Sequence, residues 1–191
     1  LGPGLSSMTG AHYRFRSTWL LPGTAPERVF GVVTDLAGYP RWWSDVRAVR
    51  RVDDDTAELV CRSRLPFRII VRMHRDHQDE RTGLMRVRLS GDLDGTLAGA
   101  VRAAGAGTLL EITQDVQARK KLLQRFDTVA RPLFRANHAL MMRRGHRGLS
   151  AYLTLGPAPN APMWRWLRLT HRTPHWGAWA WLRLTGDADL G

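Results

Sequence analysis

From His12 to Leu21 polar and apolar residues alternate. Tyr13, Phe15, Ser17 and Trp19 fall on one face, and His12, Arg14, Arg16 and Thr18 on the other. A period of two predicts a half-buried strand, and Pro22-Gly23 ends it. Thr24 stands three residues before Glu27 with Pro26 between them, the spacing of a capping box at a helix start. Val29, Phe30, Val32 and Val33 supply the apolar stripe of a short helix. Asp35 to Asp45 holds Gly38, Pro40 and the pair Trp42-Trp43, which predicts a second, broken helix.

From Val46 to Ala118 the period stays close to two, with turn signals at 53–55, 65–66, 81–83, 92–95 and 104–107. This pattern predicts an antiparallel meander of about six strands. One face collects Leu59, Cys61, Phe67, Ile69, Val71, Met73, Met85, Val87, Leu89, Leu97, Val101, Leu110, Ile112 and Val116. The other collects Arg62, Arg64, Arg68, Arg72, His74, Arg86, Arg88 and Arg102. One side is core and the other is basic.

Residues 119–155 read as one long helix, bent at Pro132. At 100° per residue, Phe126, Ala130, Leu133, Phe134, Asn137, Met141, Gly148 and Tyr152 share a face. A sheet with one apolar face needs a cover, and this helix is long enough to lie across it. The expected class is therefore α+β, a curved antiparallel sheet of about seven strands around a long C-terminal helix. Residues 12–155 form that domain. Residues 1–11 are expected to be a disordered or tag-derived leader with a native start at Met8. Residues 156–191 are a Pro-rich linker and a Trp/Arg-rich tail, in which Trp164–Thr170 reappears as Trp179–Thr185. Two copies are too few for a solenoid.

Composition changes this picture in one respect. The net charge is +12, and only Lys120 and Lys121 among the 29 basic residues are lysines. An arginine bias of this kind follows from GC-rich codons, or from an electropositive surface facing anionic lipid, nucleic acid or an acidic protein. The single cysteine, Cys61, excludes an internal disulfide and fits a reducing cytoplasm. No run spans a bilayer, and no signal-peptide pattern opens the chain.

Candidate chemistry is sparse. Metal-binding His-Glu-x-x-His patterns, paired cysteines and clustered carboxylates are missing, and His74 and His77 read as neighbours on opposite strand faces, so no metal or other cofactor is expected. The phosphate-cradling glycine loop and the Gly-x-Ser-x-Gly turn are missing too. Asn137 lies in the middle of the apolar helix face. A buried amide left unpaired costs about 1–3 kcal/mol, so sheet backbone, a water or a ligand must satisfy it. His138 lies at the edge of the stripe. The small residues of Gly95–Val101 leave the inner sheet wall thin, which allows either a cavity or close helix–sheet packing. Trp42 and Trp43 are candidates for an aromatic lip or, for one of them, for the core. In the tail, Trp164, Trp166, Trp179 and Trp181 with nearby arginines suit a membrane interface. Stacking on nucleic acid, a fold-back lid, self-association into a homodimer and a reading-frame oddity are the other readings.

The order strand, two short helices, six strands and long helix resembles the SRPBCC (START/Bet v 1-like) superfamily with its helix-grip fold, and within it the bacterial polyketide cyclase/dehydrase and lipid-transport group. The resemblance is carried by Thr24–Phe30 with Asp35 and Tyr39–Trp43, by Gly91–Thr96 and Gly107–Ile112, and most specifically by Arg131–His138 with Met142–Gly145 and Gly148-Leu149. It covers roughly residues 12–153 and leaves the tail unmatched. It implies a deep pocket between sheet and C-terminal helix for lipids, polyketides or other apolar metabolites. In members that act as aromatase/cyclases, pocket polar groups orient a poly-β-keto chain. The positions available for that here are Ser63, Gln114, Asn137 and His138, of which His138 and Ser63 are the catalytic candidates.

The expected function is to bind or carry a hydrophobic small molecule. Its wall is Phe67, Ile69, Met85, Leu97 and Ile112, with Gln114, Phe134, Asn137 and Met141 beside them and Trp42 and Trp43 at the mouth. A polyketide aromatase/cyclase or dehydratase is the alternative, and a peripheral membrane module using the tail is the third reading.

Overall fold

The computed structural model describes residues 12–62, 68–119 and 130–156. Ser63, Phe67, the leader and the Trp/Arg-rich tail lie outside the described residues. The chain begins with β1 (His12–Pro22), followed by α1 (Pro26–Thr34), a 3-10 turn (Leu36–Gly38) and α2 (Tyr39–Trp42). The meander is β2 (Val46–Arg51), β3 (Thr56–Arg62), β4 (Arg68–Asp79), β5 (Leu84–Gly91), β6 (Leu93–Ala104) and β7 (Gly107–Ala118), and α3 (Ala130–Leu155) closes it. The strands make one antiparallel sheet in the order β1-β7-β6-β5-β4-β3-β2, with β1 and β2 at its edges.

Alternation sorts the sheet as expected. Leu59, Ile69, Val71, Leu89, Val101, Leu110 and Val116 are buried on the concave side. Arginines fill the outer face and find carboxylates across the strands. Glu58 accepts from both Arg50 and Arg72, at 3.1 and 3.0 Å, and Arg14 reaches Asp115 at 2.9 Å. Exposed pairs of this kind add little stability each. They do keep a basic face compatible with strand pairing, because like charges directly opposite would oppose it.

Four details depart from the sequence reading. Thr24 does not cap α1: the N-cap is Ala25. The Thr24 side chain turns inward, its carbonyl accepts from Thr108 Oγ1 at 2.6 Å, and burial of this β1–β7 corner outcompetes the cap. Arg119 does not start the helix. Its backbone N–H reaches Asp92 O at 3.2 Å and its guanidinium holds Asp94 at 2.8 Å, which ties the chain to the sheet just after β7. In β4 a register irregularity between Arg75 and His77 places His77 opposite Arg86 and Gln78 opposite Met85. Because of that bulge His74 and His77 both pair with exposed arginines instead of pointing to opposite faces. On α3, Leu133 is 37% exposed, whereas Met142, Leu149 and Leu153 are buried. The C-terminal half of the helix turns that face toward the cluster around Trp19 and Trp42, which moves its buried stripe round from the Asn137–Met141 line.

Two glycines let α3 come this close. A Cβ at Gly145 would sit 2.8 Å from Trp43 and 2.9 Å from Trp19, and one at Gly148 would overlap the Trp42 carbonyl oxygen. The Trp43 indole N–H donates to Met141 O at 3.1 Å, and the His146 ring bonds Leu20 O at 3.0 Å. Below this contact, Asp45 is 2% exposed and its Oδ1 accepts from Arg144 at 2.9 Å.

Candidate functional site

Between the concave face and α3 lies a cavity of about 210 Å³. Trp42 comes to it from α2 and Trp43 from the residue that ends that helix, Ile69 from β4 and Met85 from β5. Leu97 comes from β6, Ile112 and Gln114 from β7, and Phe134, Asn137, His138 and Met141 from α3. Gly99 also lines it, and the Met85 side chain packs into the space its missing side chain leaves, 3.0 Å from where a Cβ would sit. The small-residue strand therefore borders space, not a helix packed flush against it. Trp42 belongs to the core at 6% exposure while also lining the cavity. Cys61, Val71 and Met73, on the inner face by alternation, were legible as lining although the candidate set omitted them. Arg75 continues the same alternation beyond Met73, whereas His77 and Gln78 were not legible, because the bulge after Arg75 leaves no mark in the hydrophobic pattern.

Two clusters of charged and amide groups stand out in the lining, beside Thr34, Tyr39, Thr56, His77, Gln78 and the Trp42 indole N–H, which has no partner among the described residues. Arg51, Asp53, Asp54, Asp55 and Arg75 lie on β2, its turn and β4. There Arg51 pairs with Asp54 and Arg75 with Asp55. Gln114, Asn137 and His138 lie on β7 and α3. Asn137 is 7% exposed, and its hydrogen bond is a weak one from Nδ2 to Met141 Sδ at 3.5 Å. No sheet group among the described residues satisfies its Oδ1, so the amide faces the cavity.

His138 stacks on Phe15 with ring centroids 3.7 Å apart and bonds Gln114 Oε1 through Nε2 at 2.8 Å. Burial pushes its pKa down to about 4, so at neutral pH the imidazole is uncharged and its Nε2–H is the donor. Cys61 is a protonated thiol for a related reason: burial first, and the Asp45 carboxylate second, push it up to about 12. Among the described residues no group of three or more His, Cys, Asp or Glu side chains could hold a metal, and no helix is long and apolar enough to cross a membrane.

A curved seven-stranded antiparallel sheet, a short helix pair after the first strand and a C-terminal helix over a cavity define a helix-grip fold. Over residues 14–154 the sequence matches the family of polyketide cyclase/dehydrase and lipid transport proteins, and the chain belongs to that family. No curated protein matches the chain. Among solved structures, it is similar to the Zhui aromatase/cyclase of Streptomyces sp. R1128, at 15% identity and a TM-score of 0.61, over 78% of this chain and 100% of that one. It is also similar to a Thermus thermophilus protein, TTHA0849, at 16% identity and a TM-score of 0.61, over 78% of this chain and 100% of that one. A START superfamily protein of Mycobacterium smegmatis matches at 13% identity and a TM-score of 0.58, over 75% of this chain and 97% of that one. At such identities the likeness establishes the fold.

Proposed function

We propose that the protein binds and carries a small hydrophobic molecule in the cavity between its sheet and α3. The observation that carries this reading is the Asn137 amide, buried on an apolar helix face beside open volume with a thioether as its one partner among the described residues. A native core does not ordinarily leave an amide so poorly bonded, whereas an apolar pocket uses a few such groups to orient its ligand. Ile69, Met85, Leu97, Ile112, Phe134 and Met141 supply the apolar wall, worth ~25 cal/mol per Å² of ligand-facing surface removed from water. Mass spectrometry of what co-purifies from the native host tests the reading. An apolar metabolite retained by the wild type and lost from Asn137→Leu is expected. Wild-type protein that emerges with no bound small molecule and binds none from a native lipid extract overturns it.

A second reading, an aromatase/cyclase or dehydratase, draws support from His138, a titratable group inside the cavity. General acid–base work favours a pKa near the operating pH, and burial holds this imidazole down at about 4. That mismatch favours carriage over catalysis. Turnover of a poly-β-keto thioester that is abolished in His138→Gln would reverse the order.

A further inference from the structure

We infer that the ligand is a neutral molecule with an apolar body and one hydrogen-bonding oxygen seated against Gln114 and Asn137. This rests on the binding role proposed above and extends it to a ligand class.

The register of the sheet separates the two polar clusters of the lining. Arg75 pairs with Val87, Val87 with Leu97, and Leu97 with Gln114. These four residues form one cross-strand row. With strands about 4.8 Å apart, the Arg75 and Gln114 backbones stand roughly 14 Å from each other, with two apolar side chains between them. The cationic end of the row is already occupied, since Arg75 is paired with Asp55. The far end is uncharged. His138 donates to Gln114 Oε1, which leaves the Gln114 amide N–H groups to offer a ligand. Asn137 Oδ1, from the facing helix, has no partner among the described residues.

An amide donor and an amide acceptor on facing walls match a hydroxyl group, which accepts from one and donates to the other; a keto oxygen satisfies the donor alone. A carboxylate seated there would lose its hydration without gaining a counter-charge, because His138 is neutral and the Arg75 guanidinium is committed to Asp55. Burying an uncompensated charge costs far more than the two hydrogen bonds return. The site therefore selects against acids, although the whole protein is strongly basic.

Calorimetric titration of the full chain at neutral pH with 2-naphthol, 2-methylnaphthalene and 2-naphthoate separates these terms. The naphthol is expected to bind about tenfold more tightly than the hydrocarbon, the effect of roughly one satisfied buried hydrogen bond. The naphthoate is expected to bind at least tenfold more weakly than the naphthol. Asn137→Leu and Gln114→Leu should each lower the ratio of naphthol to hydrocarbon affinity, measured on the same variant, from about ten toward one. Naphthoate binding as tightly as naphthol, or a naphthol preference that survives both substitutions, overturns the inference. Hydrocarbon binding with no naphthol preference removes the inference and keeps the carrier reading. Failure of all three probes to bind removes the inference, and the co-purification experiment alone then decides the carrier reading. The wild-type series stands by itself should either variant fail to fold.

Discussion

The His138 imidazole donates to Gln114 Oε1 at 2.8 Å, joining α3 to β7 inside the cavity. Burial holds its folded pKa at about 4, against about 6.5 in an unfolded chain. Between those values the unfolded chain binds a proton that the native fold does not. The stability linked to this group is therefore complete above about pH 6.5 and declines as pH falls toward about 4. Urea unfolding of wild type should show this slope, and His138→Gln should flatten it. An imidazole resonance that titrates near 6.5 in the native protein would contradict the assignment.

Asp45 is buried at the α2–β2 corner with Oδ1 held by Arg144 and Oδ2 without a partner. Arg144→Met should cost about 3–5 kcal/mol, since a buried charge loses its counter-ion. Adding Asp45→Asn to that variant should recover part of the loss. Denaturant midpoints of the two single variants and the double variant measure this coupling. Simple additivity would mean the pair is not coupled.

Gly148 has no room for a side chain, because a Cβ there would overlap the Trp42 carbonyl oxygen. In an open helix, Gly→Ala would stabilise by up to about 1 kcal/mol. Gly148→Ala should instead destabilise by about 1–3 kcal/mol through overpacking and alter the near-UV circular dichroism of the tryptophan cluster. A gain in melting temperature would show that α3 shifts freely on α2.

Cys61 lines the cavity, and burial raises its thiol to about 12. The thiolate is the reactive form. Iodoacetamide at neutral pH should therefore leave the native protein largely unlabelled and modify it fully once unfolded by guanidinium. Intact-mass spectra report the outcome directly, because the chain has a single cysteine. Rapid labelling of the native state would place Cys61 in a more open environment.

The architecture was legible because the two faces of this sheet differ so sharply in chemistry. Leu59, Val71 and Leu89 alternate with Arg62, Arg72 and Arg88, and a one-residue slip would have buried guanidinium groups. The inner-face side chains followed from the same alternation, and the place of Asn137 on α3 from the helical period instead. The departures share a cause: each depends on a tertiary contact that local pattern cannot encode. The Thr24 hydroxyl turns to the Pro22 carbonyl instead of capping α1, in a corner fixed by the bond from Thr108 to the Thr24 carbonyl. The bulge after Arg75 re-aims Gln78 without changing the apparent period. The buried stripe of α3 rotates because Gly145 and Gly148 let tryptophan rings and backbone approach one flank. Those glycines were visible in the sequence as part of a resemblance, but their steric reason needed the partner surface.

The sheet does not close on itself, and among the described residues β1 and β2 leave two rows of backbone groups without a neighbouring strand. Such margins are templates for pairing with a second chain. Here one margin carries Arg14 and Arg16, and the other Arg47, Arg50 and Arg51. Arg14, Arg16, Arg50 and Arg51 are ion-paired, so the repulsion between two copies meeting edge to edge comes from the net charge of +12 that each carries. Colloidal behaviour thereby becomes tied to ionic strength: dilute buffer keeps the margins apart, and added salt, by shortening the reach of that repulsion, brings them within range of one another.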